Sequence, residues 1–197
     1  VIRFEGVPRP RDVYWGNNPP VCVGEVVVVT PLDSENILGL DWRTGRTRWK
    51  VPASRLGTSR TSFPHLLGIH DGNLILSGRS GALALGAEKG ERRWKATLPP
   101  NHEAAGRGAL TRDRLYLPVG EDLFEYDLAT GKALNREYLG FSYPSQPSNL
   151  FLLGEVIARV GVESMELFFN AERMLAHAEE RYKTEVGTFR DLSFIGD

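Results

Sequence analysis

Cysteine is almost missing from this chain of 197 residues, which contains Cys22 and no other. A single thiol cannot form an internal disulfide, and it cannot supply the several sulfur ligands of a structural zinc site. The sequence therefore excludes both a disulfide-stapled fold and a cysteine-based metal centre within this chain. A lone cysteine does not assign the chain to a redox compartment.

The sequence also lacks an excess of charge of one sign and any long apolar run. Lys and Arg number 24, Asp and Glu number 25, and the formal net charge is −1 at pH 7. A chain so close to neutrality has no global attraction for nucleic acid. No apolar run approaches 18 residues and no signal-peptide pattern is present. We therefore expect no nucleic-acid partner and no transmembrane helix in this segment.

Motifs of familiar catalytic chemistry are missing as well. The four histidines, His65, His70, His102 and His177, do not have the spacing of a metal site. No Gly-x-Ser-x-Gly elbow occurs, and "GRSGALALG" at 78–86 lacks the Lys-Ser/Thr pair of a phosphate-binding loop. We assign no residue a catalytic, cofactor-binding or metal-binding role and expect no bound cofactor.

What the sequence does contain is an internal repeat. The segment "ILGLDWRTGRTRWKV" at 37–51 is followed by "ALALGAEKGERRWKA" at 82–96 and "LFEYDLATGKALNRE" at 123–137. Each copy has an apolar pair, a turn that ends in Gly and a strand-like tail. The turn glycines Gly45 and Gly90 are 45 positions apart, and Gly131 follows 41 positions later. This period matches one four-stranded propeller blade.

Short apolar segments bounded by turn residues precede each copy and predict further strands. They are "GEVVVVTP" at 24–31, "HLLGIHDG" at 65–72, "GNLILSG" at 72–78, "GALTRD" at 108–113 and "DRLYLPVG" at 113–120. "NLFLLGEVIARVG" at 149–161 opens a fourth unit in the same way. We predict an all-β fold that forms part of a β-propeller, after an N-terminal lead-in at 1–20. Three full four-stranded blades and a partial fourth are expected at about 21–52, 64–98, 106–139 and 148–169.

The repeat signature has structural roles in this interpretation. Asp41 accepts a backbone hydrogen bond that closes the turn, and Gly45 takes a positive φ that a side chain resists. Trp49 packs between neighbouring blades, where a large ring buries much apolar area. The basic residues around them are expected to be solvated: Arg43, Arg46 and Arg48. The whole signature comprises Asp41, Thr44, Gly45, Trp49, Gly90, Trp94, Asp127, Thr130 and Gly131.

These residues resemble the pyrroloquinoline-quinone-type repeat, whose signature is roughly Ala-x-Asp-x-x-Thr-Gly-x-x-x-Trp. "LDWRTGRTRW" at 40–49 matches it well, whereas "LGAEKGERRW" at 85–94 has Gly86 for Asp and Lys89 for Thr. "YDLATGKALN" at 126–135 has Asn135 in place of Trp. The resemblance covers about 20–165. It implies a multi-bladed propeller of the kind found in quinoprotein alcohol dehydrogenases and in non-enzymatic envelope proteins such as the outer-membrane assembly lipoprotein.

The resemblance also shows what an enzyme of this type requires. A quinoprotein dehydrogenase needs a catalytic Asp, oxygen ligands for Ca²⁺ and stacking walls for the quinone, one of them a disulfide between adjacent cysteines. Cys22 alone cannot supply that wall. We therefore favour a non-catalytic, protein-binding scaffold in the bacterial periplasm or cell envelope. The alternatives are a fragment of a quinone- and calcium-dependent dehydrogenase and a sensor domain of a multidomain signalling protein.

Three blades and part of a fourth would leave open faces and unpaired strand edges, while closed propellers have about four to eight blades. The chain is expected to continue a propeller whose earlier blades are missing, which Val1 in place of Met favours. Pairing with another chain and an open arc are the alternatives. The expected partners are thus the remaining blades or another protein, with a dimer if the chain is complete.

Two further segments are singled out by their pattern. "LPPNHEAAGRG" at 98–108 is a long loop between the second and third blades, where it is placed to contact a partner. "NAERMLAHAEERYK" at 170–183 has helical spacing after the N-cap residue Asn170. We predict a strand at 164–169 and then a C-terminal helix and tail at 170–197, which covers an open propeller end or starts another module.

Overall fold

The computed structural model of the protein describes residues 18–31, 34–52, 65–142, 148–154, 156–161 and 164–169. Within these ranges the chain is all-β, with sixteen strands in four four-stranded sheets and no helix. The predicted helix at 170–183 and most of the predicted lead-in lie outside the described residues.

Three sheets follow the chain in simple up-and-down order. The first comprises β1 (Val21–Val23), β2 (Val26–Val29), β3 (Asn36–Asp41) and β4 (Thr47–Pro52). The second comprises β5 (His65–His70), β6 (Asn73–Gly78), β7 (Gly81–Gly86) and β8 (Arg92–Thr97). The third comprises β10 (Ala109–Leu110), β11 (Arg114–Val119), β12 (Asp122–Asp127) and β13 (Ala133–Tyr138). We call these sheets blades 1 to 3.

The fourth sheet, blade 4, has a different composition. It contains β14 (Ser148–Leu153), β15 (Val156–Val160) and β16 (Met165–Phe169), and its remaining strand is β9 (Gly106–Arg107), which runs parallel to β14. The repeat pattern predicted that residues 106–107 belong to the third blade, whereas in the structure they pair with blade 4. Gly106 has φ +118 and lies so close to the Ser148 backbone that a Cβ has no room. Gly106 thus brings the strand against blade 4, and β10 alone begins blade 3.

The repeat is visible in the strand pairing itself. The third and fourth strands of blades 1 to 3 each contain one register shift, at Gly39/Leu40, Ala84/Leu85 and Glu125/Tyr126. A register shift of this kind bends the strand and increases its twist. The three shifts follow the same spacing as the turn glycines, so each repeat encodes the same local irregularity as well as the same strands.

The blades stack face to face around two apolar clusters. We call the face of a blade that meets the preceding blade its leading face and the opposite face its trailing face. The first cluster joins Val28, Ile37 and Trp49 of blade 1 to the leading face of blade 2, formed by Leu74, Leu76, Leu83 and Leu85. The second joins Ile75 and Ala84 of blade 2 to the leading face of blade 3, formed by Leu115, Leu117, Phe124 and Tyr126. Every residue of β7 is buried because both faces of blade 2 are covered. The described chain is therefore part of a β-propeller.

Candidate functional site

The turn after the third strand of a blade is closed by a carboxylate. In blade 1, Asp41 Oδ1 accepts hydrogen bonds from the Thr44 backbone N–H at 2.9 Å and the Thr44 hydroxyl at 2.8 Å. The Gly45 N–H donates to the Asp41 carbonyl at 2.8 Å, and Gly45 has φ +68. In blade 3, Asp127, Thr130 and Gly131 repeat these contacts. Hydrogen bonds from Thr130 lower the pKa of the Asp127 carboxyl.

Arg48 lies beside this turn. The sequence suggested that its side chain is simply solvated, but the side chain forms two ion pairs. Its Nη2 donates to Asp41 Oδ2 at 2.6 Å and to Glu25 Oε2 at 2.9 Å. Hydrogen bonding from Arg48, followed by that from Thr44, holds the pKa of Asp41 well below its usual value. The guanidinium therefore joins the turn after β3 to the turn after β1. Solvent screens an exposed network of this kind, so it contributes little to stability.

The second blade keeps the turn without its carboxylate. Gly86 occupies the Asp position, and the Gly90 N–H still donates to the Gly86 carbonyl at 2.8 Å. The carboxylate oxygens of Glu91 lie over Gly86, within 2.6 Å of where a Cβ would be. Glu91 is held there by an ion pair with Arg93 at 2.7 Å. A carboxylate from the following strand thus lies where the aspartate side chain of the other repeats would begin.

Two tryptophans join neighbouring blades by the same contact. Trp49 is 8% exposed, and its Nε1 donates to the Ala87 carbonyl of blade 2 at 2.8 Å. Trp94 donates in the same way to the Leu128 carbonyl of blade 3 at 3.0 Å. Each indole lies against the turn glycine of the next blade, Gly90 or Gly131. The signature Trp and Gly are therefore partners across a blade interface and not within one repeat.

Two glycine substitutions separate backbone strain from packing. Gly45 has φ +68 with open space where a Cβ would point, whereas Gly90 has φ +70 and its Cβ would lie 2.7 Å from Trp49 and Val51. We expect Gly45→Ala to cost about 1–2 kcal/mol from the left-handed backbone alone. Gly90→Ala should cost about 1–3 kcal/mol more because the ring must move. Urea unfolding of both variants measures the difference, and equal losses would show that the indole does not rest on Gly90.

The interface between blades 3 and 4 lacks the tryptophan. Asn135 takes its place, pairs with Glu125 in the register and lies on β13, whose side chains are all exposed. A cleft of about 320 Å³ remains between the two blades, lined in part by Tyr116, Glu125, Glu137 and Ile157. A different cluster, which no sequence pattern indicated, lies in blade 4 and against the segment that links it to blade 3.

That cluster is centred on Arg159, which is 2% exposed. Its Nη1 lies 3.1 Å from Glu166 Oε2, and its Nε donates to Ser148 Oγ at 2.9 Å. The guanidinium lies 4.5 Å from the Phe141 ring, which meets the Phe168 ring edge to face at 5.1 Å. Burial opposes ionisation of Glu166, but hydrogen bonds from Ser142 and Arg159 outweigh it and lower the pKa. The ion pair thus lies within blade 4 and, through Phe141 and Ser142, joins this blade to the segment that follows blade 3.

The loop predicted as a contact surface lines a broad concave surface of the protein. A concave surface of about 910 Å³ is lined by His65, Arg79, Val119, Gly120 and the loop residues 101–106. The β6–β7 turn, the β11–β12 turn and the inter-blade loop meet there. We call this surface the loop concavity.

The loop is held in place by backbone hydrogen bonds. The Ala104 N–H donates to the Arg79 carbonyl and the Ala105 N–H to the Pro118 carbonyl, both at 3.0 Å. Arg79 and Glu103 also form an exposed ion pair at 2.6 Å. A loop that is already ordered loses less conformational entropy when it binds a partner.

His65, at the edge of the loop concavity, has a lowered pKa. Burial, followed by the charge of Arg107, lowers the pKa of His65 from 6.5 to about 4. The folded state therefore favours neutral His65, so its contribution to stability is complete above about pH 6.5 and is lost as the pH falls towards 4.

We expect an NMR titration of His65 to have its midpoint near pH 4. The loss of stability between pH 7 and pH 5 should become smaller in His65→Gln, since the ring that resists protonation has been removed. His102→Gln, which makes the same substitution at another histidine of the same concavity, is the matched control. A His65 midpoint near the ordinary value would contradict this assignment.

The described residues do not fit the quinone and calcium site of the enzymes that the repeat resembles. Among them, no group of three His, Cys, Asp or Glu side chains is arranged to hold a metal ion. Cys22 is exposed and is the chain's single cysteine. The aligned aspartates Asp41 and Asp127 are used in closing turns. In the same residues, no helix is long and apolar enough to cross a membrane.

Comparisons with known proteins agree with this fold. No protein-family model matches the chain, and no curated protein matches it. BamB from Moraxella catarrhalis is similar at 19% identity and TM-score 0.51, with 74% of this chain and 46% of that chain covered. The quinohemoprotein alcohol dehydrogenase ADHIIG from Pseudomonas putida HK5 is similar at 16% identity and TM-score 0.53, covering 78% and 29%. The extracellular domain of BT4673 from B. thetaiotaomicron is similar at 15% identity and TM-score 0.56, covering 74% and 19%.

At these sequence identities the similarities show a shared fold. The fold of the chain is that of a β-propeller, as the resemblance of the repeats implied, and the solved structures that share it include a quinohemoprotein alcohol dehydrogenase. The chain spans less than half the length of each of these structures.

Proposed function

We propose that this part of a β-propeller is a non-catalytic scaffold that binds a protein partner in a bacterial cell envelope. The observation that carries the proposal is the loop concavity of about 910 Å³. Its loop is pinned by backbone hydrogen bonds, and its rim carries both signs of charge from Arg79 and Glu103. A preordered concave surface with mixed charge suits a protein segment, because it offers hydrogen bonds and ion pairs without a reactive group.

The setting in the envelope is supported by the structural neighbours. The extracellular domain of BT4673 shares the fold, and the sequence resemblance includes non-enzymatic envelope proteins. The loop concavity is lined by both polar and apolar groups, and the charges of Arg79 and Glu103 are expected to contribute polar contacts to the pairing. Such contacts weaken with ionic strength.

Site-specific photo-crosslinking in an envelope fraction tests the proposal. A photoreactive residue at Asn101, in the loop concavity, should give a defined adduct with one protein. The same residue at Tyr138, which is 70% exposed on blade 3 and does not line the loop concavity, is the matched control and should not. Arg79→Ala combined with Glu103→Ala should lower the adduct yield by about tenfold, since the charged rim is lost while the backbone contacts of the loop remain. Equal yields from both positions would overturn the proposal.

Two other functions rest on structural neighbours. Similarity to ADHIIG raises the alternative that the chain is part of a quinone- and calcium-dependent dehydrogenase. Similarity to BT4673, described as a one-component system, raises the alternative of a sensor domain in a signalling protein. Alcohol oxidation after addition of pyrroloquinoline quinone and Ca²⁺ would establish the first and end the scaffold proposal. An effector domain encoded in the same gene would favour the second.

A further inference from the structure

The trailing face of blade 3 differs in chemistry from the same face of blades 1 and 2. The strand registers align one row of side chains in each blade: Val28, Gly39 and Trp49 in blade 1, Ile75, Ala84 and Trp94 in blade 2, and Tyr116, Glu125 and Asn135 in blade 3. The first two rows are apolar, whereas the third carries a phenol, a carboxylate and an amide. The next row ends in Glu137, where the other two blades have Val51 and Ala96.

This polar face is one wall of the cleft of about 320 Å³ between blades 3 and 4. The opposite wall is apolar and contains Leu152, Ile157 and Phe168. These three residues lie directly opposite one another on neighbouring strands of blade 4, so they project from the same face of the sheet. The cleft between the two blades therefore has one acidic wall and one apolar wall.

The charges beside the acidic wall do not cancel. Arg114 Nε lies 2.8 Å from Glu125 Oε1, and the same guanidinium lies 3.1 Å from Asp113 and 3.8 Å from Asp127. One cation is thus shared by three carboxylates. Among the described residues, Glu137 forms no ion pair. The acidic wall therefore has an excess of negative charge.

Tyr116 reports the same excess from within the cleft. Burial, followed by the charge of Glu125, raises the pKa of the Tyr116 phenol, and the charges of Asp113 and Glu137 act in the same direction. The cation on the apolar side does not offset these charges, because Arg159 is 2% exposed and lies 3.1 Å from Glu166.

We propose that the cleft between blades 3 and 4 binds an arginine side chain of a protein partner. An anion would be repelled by the acidic wall, and a purely apolar side chain would leave the carboxylates desolvated without a counter-charge. An arginine matches both walls, since its aliphatic stem packs on apolar groups while its planar guanidinium pairs with a carboxylate and stacks on an aromatic ring. The volume of the cleft is near the lower end of ligand pockets, about 300 Å³, which suits one long side chain.

The protein already contains an arrangement of this kind. The Arg159 guanidinium lies 4.5 Å from the Phe141 ring and pairs with the Glu166 carboxylate. In the cleft, Phe168 and Glu137 offer the same two groups to an arginine from outside. None of the described residues that line this cleft lines the loop concavity, so the two proposed contacts can fail separately.

An NMR titration of the 197-residue chain tests the proposal. The probe is a capped pentapeptide with a central arginine between two leucines, and the amides of Glu125, Glu137 and Ile157 should shift as it is added. The same peptide with citrulline, which keeps the shape of arginine and removes its charge, should bind at least about fivefold more weakly. Glu137→Gln should weaken binding of the arginine peptide about fivefold, as expected for one partly screened ion pair. Glu88→Gln, at an exposed glutamate of blade 2, is the matched control and should leave the affinity unchanged.

A second variant rebuilds the interface of the other blades. Glu125→Ala combined with Asn135→Trp restores the row that Ala84 and Trp94 form in blade 2, and the indole should fill the cleft and abolish binding. Circular dichroism shows whether the variant is folded.

Three results would overturn the proposal. The first is the absence of shifts at the cleft up to about 5 mM peptide, a concentration that reveals even millimolar affinity. The second is equal affinity for the arginine and citrulline peptides. The third is equally tight binding of agmatine, which has the guanidinium and its stem without a peptide backbone, since that result identifies a small amine and not a protein segment as the occupant.

Discussion

Trp49→Ala should lower the free energy of unfolding by about 3–5 kcal/mol, the loss typical of a large buried ring. The indole is 8% exposed, rests on Gly90 and donates a hydrogen bond to the Ala87 carbonyl at 2.8 Å. Truncation removes apolar contact between blades 1 and 2 and leaves that carbonyl without its donor. Chemical denaturation followed by circular dichroism measures the loss.

Trp42→Ala is the matched control for this prediction. Trp42 lies in the same turn region but is 54% exposed, with the Arg43 guanidinium 4.9 Å from its ring. Its loss should cost at most about 0.5–1 kcal/mol, the value of an exposed cation–π contact. Trp49→Phe should fall between the two variants because it keeps a ring and loses the donor. Similar losses for Trp42→Ala and Trp49→Ala would show that the indole does not join the blades.

Arg159→Ala should cost a comparable 3–5 kcal/mol, because removal of one member of a buried ion pair leaves the other charge without compensation. Arg159 is 2% exposed and lies 3.1 Å from Glu166 Oε2. The variant should also lose less stability on acidification than the wild-type protein does. Since Arg159 and Ser142 lower the pKa of Glu166, the carboxylate stabilises the fold above its ordinary pKa of 4.5, and this contribution is lost as the pH falls below that value.

The double variant Arg159→Leu with Glu166→Leu tests whether the two charges are needed for the stability of blade 4. Arg159 and Glu166 are directly paired in the register, as Leu76 and Leu83 are in blade 2. An apolar pair of similar volume often replaces a buried ion pair without loss. We expect the double variant to regain most of the stability lost in Arg159→Ala. A double variant as unstable as the single one would mean that Ser142 and Ser148 depend on these charged partners.

Local features of this fold were predictable from the sequence because they depend on residues close together in the chain. The Asp41–Thr44–Gly45 turn is closed by hydrogen bonds that span three or four residues. The period of the glycines located the first three blades for the same reason, and the strand predicted at 164–169 corresponds to β16. The substitution of Asn135 for Trp was visible too, and it marks the interface where the contact between blades changes.

Other features depend on residues far apart in the chain, and the sequence alone did not reveal them. The pairing of β9 with β14 brings Gly106 opposite Ser148, and the Ser148 hydroxyl donates to the Ala105 carbonyl across 43 positions. Arg48 reaches Glu25 across 23 positions. The burial of Arg159 depends on Phe141, which lies 18 positions earlier in the chain, and on Glu166 of the neighbouring strand.

The sequence by itself determined the all-β architecture, the blade period and the turn chemistry, since each depends on short local patterns and on their recurrence along the chain. The tertiary structure decided which charged residues are buried, which strand enters which sheet and which side chains meet between blades. Those outcomes depend on how one repeat stacks on the next, and stacking brings together side chains that no local pattern pairs.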